Sequence, residues 1–238
     1  MDFVSNKQWL EEVAVSLNSI DVGIDMSMRK NHFSSVYAFL KRIMDILLSL
    51  LLGIFFLPIS LLTAMLIRLD SPGPIFYMQE RVGRDGRTIN IYKFRTMHDD
   101  GDTILANYLK KNPEARFTWD QKQKLPTDPR ITRVGKWIRE FSIDEIPQLI
   151  NILNGDMSLV GPRPILAEQR ILYGEGIEFY RIMRPGLTGL WQVSGRNHTT
   201  FTQRTFYDVY YVRNWSPFLD LYILLRTVWV VLSRDGAY

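Results

Sequence analysis

The chain has 238 residues, 46% of them hydrophobic, which is enough for one packed domain with an appendage and excludes a disordered chain. Its formal net charge of +4 suits an anionic membrane surface, a phosphorylated substrate or nucleic acid equally well. The chain contains no cysteine and only three scattered histidines. Disulfides and thiolate metal sites are therefore excluded, and any metal is expected to be a hard cation on oxygen ligands.

The first predicted element is an uncharged apolar segment of 22 residues, 46–67. A helix of that length reaches roughly 33 Å, enough to cross a bilayer. Pro58 lies just past its middle and predicts a kink. Arginines and lysines flank both ends, whereas a spanning helix usually has them biased to one side. The residues leave two arrangements open: a kinked span, and a re-entrant helix whose two ends are both cytoplasmic.

Residues 71–205 are predicted to form a polar body of mixed α/β character, without internal repeats. It begins with two short strands joined by a hairpin at GRDGR, followed by a helix over 102–111. A basic loop over 116–135 and a short helix over 136–141 come next. Beyond an NGD turn, we expect a helix that ends near Met183.

The C-terminal residues 206–238 combine tyrosines and tryptophans with the apolar sequence LYILLRTVWVVL. Arg226 interrupts this sequence, which is too short to span a membrane. The composition favours a helix that lies in the headgroup layer. A buried amphipathic helix of the soluble body has the same periodicity and stays open as the alternative.

Two neighbouring carboxylates, Asp144 and Glu145, occur in the sequence SIDEIPQLINIL, at the entrance of a predicted helix. One interpretation is structural, because acids are favoured in first turns and Ser142 with Glu145 fits a capping box. Pro147 would cost a hydrogen bond if Ser142 were the N-cap, and would occupy the favoured first position if Ile146 were. The residues do not decide between the two caps.

The other interpretation of the pair is phosphate chemistry. Adjacent helical residues point roughly 100° apart, so Asp144 and Glu145 cannot face each other across a glycosidic bond. One carboxylate can instead attack a phosphorus atom while the other holds Mg²⁺ on the same diphosphate. The helix entrance is expected to keep Asp144 ionised. Loops rich in arginine, glycine and proline supply predicted phosphate ligands: Arg139, Arg163, Arg184 and Arg196.

Four sequence blocks follow the proline-interrupted apolar segment in a fixed order: KFRTM (93–97), SIDEIPQLINIL (142–153), GDMSLVGPRP (155–164) and RPGLTGLWQVSGRN (184–197). With these blocks the chain, from about residue 41 to 238, resembles the bacterial sugar transferases, the monotopic phosphoglycosyl transferases that act on polyprenyl phosphate. Residues 211–238 resemble more particularly the subgroup that transfers galactose 1-phosphate to undecaprenyl phosphate.

This resemblance implies a ping-pong reaction. A UDP-sugar gives its hexose 1-phosphate to the enzyme, UMP leaves, and undecaprenyl phosphate then accepts the sugar phosphate. The resemblance implies that Asp144 is the nucleophile and that Glu145 is the Mg²⁺ ligand. Further positions are assigned to the substrates and their phosphates: Lys93, Arg139, Arg163, Arg184, Arg196 and Asp208.

The resemblance also implies an α+β, largely helical, monotopic membrane protein. Its expected parts are a re-entrant membrane helix over 34–70, a cytoplasmic catalytic domain over 71–205, and interfacial helices over 206–238 that belong to the catalytic body. Pro58 is expected to break the membrane helix. Several relatives have a serine before this proline, whereas this chain has Leu57, so the kink has to be held in another way. The expected location is the cytoplasmic face of the bacterial inner membrane, in contact with its lipid.

Two other functions fit the residues. One is a Mg²⁺-dependent hydrolase of polyprenyl diphosphates, and the other is a non-catalytic, membrane-docked module that binds anionic lipids or proteins. Nucleic-acid binding is not expected, because the basic residues match no groove-reading motif. The N-terminal residues 1–33 are open between a surface helix, an oligomer contact and a tag-like addition, and a homodimer is among the expected assemblies.

Overall fold

The computed structural model describes residues 35–122, 125–195 and 199–233, so the predicted N-terminal segment lies outside the described residues. The described chain is mostly helical with two small sheets, which confirms the largely helical α+β prediction. The helices are α1 Ser35–Asp70, α2 Gly101–Lys111, α3 Pro113–Lys122, α4 Arg133–Glu140, α5 Gln148–Asn154, α6 Arg170–Tyr173, α7 Ile177–Ile182, α8 Leu190–Ser194, α9 Phe201–Arg213 and α10 Pro217–Ser233. The strands are β1 Phe76–Val82, β2 Thr88–Phe94, β3 Ser158–Val160 and β4 Gly186–Thr188.

Helix α1 is the long apolar element expected from the sequence, and its length and composition are sufficient for crossing a membrane. Its backbone stays helical through Pro58. Most of its apolar side chains, among them Leu51, Ile54 and Phe55, are exposed instead of packed on protein. Such a surface is stable only when another apolar medium covers it, which lipid chains provide.

The first part of α1 is attached to the body by polar contacts. The Arg42 guanidinium donates to the carbonyl oxygens of Ile152 and Leu153, at 2.5 and 2.8 Å, and so satisfies the last carbonyls of α5. The buried Asp45 carboxylate accepts hydrogen bonds from the Ser158 hydroxyl and the Leu159 N–H, both at 3.0 Å. The start of α1 is thereby fixed against α5 and β3.

The last turns of α1 contact the same body at a different place. Asp70 accepts the backbone N–H of Val134, at the start of α4, at 3.0 Å. Ile67 is buried in an apolar cluster with Phe94, Ile138 and Ile143. Because Ile143 directly precedes Asp144 in the chain, this cluster lies next to the pair Asp144 and Glu145.

Strands β1 and β2 form the predicted antiparallel hairpin, with Phe76 opposite Phe94 and Val82 opposite Thr88. The connecting turn holds Asp85 in the left-handed region, at φ 57°. The second strand ends at Phe94, three residues before the position expected from the sequence. Successive side chains of a strand alternate, so Phe94 enters the core while Lys93 points to another face.

Strands β3 and β4 are parallel, with Ser158 opposite Gly186 and Val160 opposite Thr188. Two glycines allow the backbones after β3 and at the start of β4 to touch. A Cβ atom on Gly186 would lie 2.1 Å from the nitrogen of Gly161. This close approach brings the GPRP loop beside the RPGLTG block, although the two are far apart in the sequence.

Helices α9 and α10 close the C-terminal part of the body. The buried Asp220 of α10 accepts hydrogen bonds from Lys41 of α1, at 2.5 Å, and from the Tyr211 hydroxyl of α9, at 2.6 Å. One face of α10 exposes large apolar side chains: Phe218, Leu221, Leu225, Val228, Trp229 and Leu232. Helix α9 runs across the predicted boundary between residues 205 and 206.

Two stretches have more regular structure than the sequence analysis predicted. Helix α3 covers residues expected to be part of a basic loop, and an i,i+4 ion pair between Arg116 and Asp120, at 3.0 Å, lies along it. The glycine-rich RPGLTGLWQVSGRN block forms β4 and the short helix α8. The strand that pairs with β4 is β3, which belongs to a distant block. Local periodicity in the sequence therefore does not predict this pairing.

Candidate active site

Asp144 and Glu145 lie in a separate 3-10 turn, Ile143–Glu145, and not in helix α5. We call this turn the acidic turn. Ser142 adopts a left-handed conformation, with φ 56°, and its side chain caps nothing, so the capping-box interpretation is wrong. Pro147 is itself the N-cap of α5. Neither Ser142 nor Ile146 therefore caps that helix. The two carboxylates are not engaged in holding the helix start.

The ammonium group of Lys93 joins the two carboxylates. Its Nζ atom lies 2.8 Å from Glu145 Oε1 and 3.8 Å from Asp144 Oδ2. The Arg163 guanidinium, from the loop after β3, lies 3.7 Å from the same Glu145 oxygen. Gln148, at the start of α5, donates a side-chain hydrogen bond to Glu145. Lys93 and Arg163, which the resemblance assigned to the site, thus lie together with the acidic pair.

Arg139 lies on the Asp144 side of the site. Its Nε atom donates to Thr96 Oγ1 at 2.8 Å, and its charge acts on Asp144. Helix α4 packs closely on the KFRTM block, since a Cβ on Gly135 would lie 2.1 Å from the Thr96 carbonyl oxygen. Arg139 is therefore bound by Thr96 of the KFRTM block and lies close to Asp144 of the SIDEIPQLINIL block.

The two carboxyl groups have opposite pKa shifts. Burial, and then the neighbouring charge of Glu145, raises the pKa of Asp144 to about 6. Burial alone would also raise the pKa of Glu145, but the cations Lys93 and Arg163 outweigh burial and lower that pKa. Glu145 therefore stays ionised at neutral pH. Asp144 is also largely ionised at pH 7, although burial and the charge of Glu145 make its ionised form less favourable than the sequence led us to expect.

Asp208, on α9, is buried behind the Arg163 loop and does not bind the pair directly. It accepts a hydrogen bond from the Tyr173 hydroxyl at 2.6 Å, while its other oxygen, Oδ1, is buried without a hydrogen-bond partner among the described residues. Burial raises the pKa of Asp208 to about 8. The positive charges of Arg163 and Arg204 act against burial and lower this pKa, so Asp208 lies close to both arginines.

For two predicted phosphate ligands, Arg184 and Arg196, the described part of the chain shows no contact with Asp144 or Glu145. Arg184 donates from Nε to the Gly155 carbonyl oxygen at 2.7 Å, at the C-terminal end of α5, whereas the acidic turn precedes the N-terminal end of that helix. Arg196 lies outside the described residues. Their roles as phosphate ligands stay predictions.

The sequence analysis missed several residues that line or support the site. Trp191 of α8 contacts the guanidinium groups of Arg163 and Arg204, and Tyr173 binds Asp208. These contacts join α6, α8, α9 and the loop after β3, which no periodicity in a single sequence brings together. Apart from the aromatic character of Trp191 and Tyr173, the chain carried no signal for them.

The donor set of the acidic turn is compatible with Mg²⁺. It consists of two carboxylates with hard oxygen atoms. Within the described ranges, no histidine or further acid joins them to make a metal site from protein ligands alone. Mg²⁺ commonly binds one or two carboxylates and fills its other positions with water and substrate phosphates. The ionised Glu145 therefore suits Mg²⁺ that arrives together with a phosphorylated ligand.

An apolar helix attached at both ends to one body, together with carboxylates surrounded by Lys93, Arg139 and Arg163, is typical of a protein that acts on a phosphorylated ligand at a membrane. Comparison with known proteins agrees with this class. The chain belongs to the bacterial sugar transferase family, which it matches over residues 36–234.

Three curated relatives illustrate the similarity. The undecaprenyl-phosphate galactose phosphotransferase of Salmonella typhimurium is 46% identical over 200 residues, which is 84% of this chain and 42% of the relative. An uncharacterized sugar transferase of Haemophilus influenzae is 48% identical over 84% of this chain and 42% of the relative. The exopolysaccharide production protein ExoY of Sinorhizobium fredii is 44% identical over 83% of this chain and 88% of the relative. The chain thus spans less than half of the first two relatives and most of the third.

Proposed function

We propose that this protein transfers a hexose 1-phosphate, galactose or glucose, from a UDP-sugar to undecaprenyl phosphate, and that UMP is the other product. The observation that carries the proposal is the acidic turn, in which Asp144 and Glu145 lie among the cations Lys93, Arg139 and Arg163. Three cations beside two carboxylates leave positive charge for a diphosphate. The substrate class comes from the family and from the name of the Salmonella relative. The reaction would begin assembly of a surface polysaccharide.

In the first half-reaction, a carboxylate oxygen of Asp144 attacks the phosphorus atom that carries the sugar. A bond forms between that oxygen and this phosphorus, the bridge to the nucleotide phosphate breaks, and UMP leaves with the bridging oxygen. Asp144 suits this role because its raised pKa makes it the more basic carboxylate of the pair. It stays largely ionised at pH 7, since the raised pKa is about 6.

In the second half-reaction, a phosphate oxygen of undecaprenyl phosphate attacks the same phosphorus. A new diphosphate bridge forms, the bond to Asp144 breaks, and the carboxylate is restored. Lys93 is placed to neutralise charge at both carboxylates, while Arg163 and Arg139 flank Glu145 and Asp144 respectively. Glu145 would hold Mg²⁺, which, when bound, neutralises charge on the diphosphate.

The contacts of α1 support a re-entrant arrangement of the membrane helix. Asp45 and Asp70, near its two ends, each bind a backbone N–H of the body. A helix that crossed the bilayer would carry one end away from a body on the other side. Although α1 is one continuous helix, Pro58 lies inside it where re-entry would need a kink, and the exposed apolar face of α10 suits the headgroup layer beside it. We propose further that the body lies on the cytoplasmic face of the inner membrane.

The test is UMP release from a panel of UDP-sugars, with Mg²⁺ and undecaprenyl phosphate, by the purified full chain. We expect release with one hexose donor, loss of release with EDTA, and loss in Asp144→Asn. Asp85→Asn, which changes an exposed carboxylate in the hairpin turn, is the matched control and should match the wild type.

Intact-protein mass spectrometry tests the covalent step directly. Incubation with the active UDP-sugar but without lipid should add the mass of one hexose phosphate to the wild type and none to Asp144→Asn. Addition of undecaprenyl phosphate should then remove it. Release of inorganic phosphate from polyprenyl diphosphate without any UDP-sugar would instead establish the hydrolase, and UMP release by Asp144→Asn at the wild-type rate would refute the nucleophile.

A further inference from the structure

Trp191 contacts two guanidinium groups from different parts of the chain. The Cζ atom of Arg163 lies 5.6 Å from the centroid of its ring, and the Cζ atom of Arg204 lies 4.5 Å from it. The indole itself is buried, with 6% of its surface exposed, so it is a fixed support for both arginines. Planar guanidinium groups are well suited to such aromatic contacts, which leave their N–H groups available for a ligand.

Arg163 connects this aromatic contact to the acidic turn. Its guanidinium lies 3.7 Å from Glu145 Oε1 while it also contacts Trp191. Arg204 contacts the same Trp191 ring as Arg163. Burial, and then the positive charge of Arg163, lowers the pKa of Arg204. The two arginines are therefore neighbours, one of which reaches the site already described.

Arg204 has few partners of its own. Within the described ranges, its guanidinium makes no ion pair with a carboxylate, and its one side-chain hydrogen bond runs from Nε to Thr199 Oγ1 at 3.2 Å. The terminal Nη atoms donate to no group in that part of the chain. Glu145 balances the charge of Arg163 but not that of Arg204, so an anion that contacts both guanidinium groups would reduce the repulsion between them.

Asp208 does not supply that anion. It lies one helical turn after Arg204, but its carboxyl is buried and is bound by the Tyr173 hydroxyl. Burial raises the pKa of Asp208 to about 8, so it carries little charge at neutral pH. Arg163 has Glu145 as a partner, whereas the positive charge of Arg204 stays largely uncompensated within the described ranges.

We propose that Arg204 is a second phosphate-binding arginine of the site, oriented by Trp191 so that it and Arg163 together hold a phosphate group of a substrate. The proposal rests on the proposed function for the identity of that substrate. Both the nucleotide donor and the lipid acceptor carry phosphate oxygens that accept hydrogen bonds from guanidinium N–H groups. The shared chemistry is therefore assigned, and the experiment separates the two sources.

Three variants test the role of Arg204. Arg204→Gln removes the charge and keeps a polar side chain, Arg204→Lys keeps the charge but loses the planar group, and Arg213→Gln removes another arginine of α9 that contacts an aromatic ring, Phe179. Steady-state UMP release is measured with the UDP-sugar varied, and then with undecaprenyl phosphate varied. We expect Arg204→Gln to raise KM for one of the two substrates by about 10-fold or more, given the usual strength of charged hydrogen bonds.

The pattern across the variants identifies the source of the phosphate. A raised KM for the UDP-sugar assigns Arg204 to the donor diphosphate, and a raised KM for undecaprenyl phosphate assigns it to the acceptor. Arg204→Lys should recover part of the loss, and Arg213→Gln should leave both KM values unchanged. If Arg204→Gln lowered kcat and thermal stability but moved neither KM beyond the Arg213→Gln control, Arg204 would be structural only and the proposal would be wrong.

A direct binding measurement keeps this proposal separate from the proposed function. Binding of inorganic diphosphate to the detergent-solubilised full chain is followed calorimetrically, with thermal unfolding as the check on folding. We expect weaker binding in Arg204→Gln than in the wild type and in Arg213→Gln. Equal binding in all three would refute the proposal, even if the transferase reaction were established. Weaker binding in Arg204→Gln would sustain it, even if the wild type released no UMP.

Discussion

Asp45 and Asp70 lie 25 residues apart on one helix, and each accepts a backbone N–H from the same folded body. Asp45 binds Leu159 at β3, and Asp70 binds Val134 at the start of α4, both at 3.0 Å. A serine before Pro58 is missing from this chain, and these two contacts offer another way to hold the path of the helix. They attach the helix to the body on both sides of Pro58.

The first prediction concerns membrane topology. Because the chain has no cysteine, single cysteines can be introduced without removing others. Phe39→Cys and Leu69→Cys, both at exposed positions near the ends of α1, should react with a membrane-impermeant maleimide only after the cells are permeabilised. Asp85→Cys, on the hairpin turn of the body, is the control and should behave in the same way. Labelling of position 39 alone in intact cells would show that the helix spans.

The second prediction concerns the ion pair between Lys93 and Glu145. Both side chains are mostly buried, so Lys93→Met leaves the Glu145 charge without its nearest partner. We expect the free energy of unfolding in detergent to fall by about 1–3 kcal/mol and UMP release to be lost. Lys110→Met, at an exposed position of α2, should have little effect on either quantity.

A double-mutant cycle separates this pair from other effects of Lys93. In Glu145→Gln the further change Lys93→Met should cost much less stability than it does in the wild type, since the carboxylate charge is already gone. An equal cost in both backgrounds would mean that Lys93 stabilises the fold through contacts other than Glu145.

The third prediction concerns the contact between Gly161 and Gly186. Gly186→Ala would place a methyl group 2.1 Å from the Gly161 nitrogen, so the two loops have to move apart. We expect a loss of about 1–3 kcal/mol in stability. A lower kcat/KM should accompany it, because Arg163 follows Gly161 by two residues. Gly53→Ala, where an added Cβ would meet nothing within 4 Å, should be neutral or slightly stabilising in the same thermal and kinetic assays.

The fourth prediction concerns the pH dependence of stability at Asp208. Burial raises its pKa from 3.8 to about 8, so between these values the folded state holds a proton that the unfolded state has released. This group therefore makes stability fall as pH rises from about 4 to about 8. In Asp208→Asn that contribution disappears. The melting temperature of the variant minus that of the wild type should therefore increase as the pH is raised from 5 to 8.

Thermal unfolding across that pH range, in detergent, is the measurement. Asp85→Asn, at an exposed position, should give a curve parallel to that of the wild type. Parallel curves for Asp208→Asn as well would show that Asp208 is ionised in the folded protein, with a normal pKa.

The sequence carried the pattern of the membrane helix, the hairpin and the acidic turn. Residues 46–67 are apolar without interruption by charge, and the GRDGR turn lies between two strand-like segments, so local pattern was enough for both. The grouping of Lys93, Arg139 and Arg163 around Asp144 and Glu145 was expected only through the family resemblance. No spacing rule brings residues from β2, α4 and the loop after β3 to one place.

The local interpretation failed where tertiary contacts decide the conformation. Ser142 and Glu145 have the spacing of a capping box, but Ser142 is left-handed and Glu145 binds Lys93 instead. The local sequence also did not indicate that Arg184 Nε donates to the Gly155 carbonyl at the end of α5; its predicted role as a phosphate ligand stays a prediction. Trp191 and Arg204 are in contact although they lie on different helices. In each case the competing partner is distant in sequence and becomes visible only in the folded chain.

Ile67 gives the membrane helix a part in the folding of the catalytic body. It packs with Phe94, Ile138 and Ile143, so the core beneath the acidic turn contains a residue from the segment that belongs in lipid. A body cut off after Asp70 would lack this apolar side chain and both aspartate attachments. Helix α1 is therefore part of the core of the body as well as an apolar surface, and removing it would leave a gap in the packing around Ile143, next to the two carboxylates.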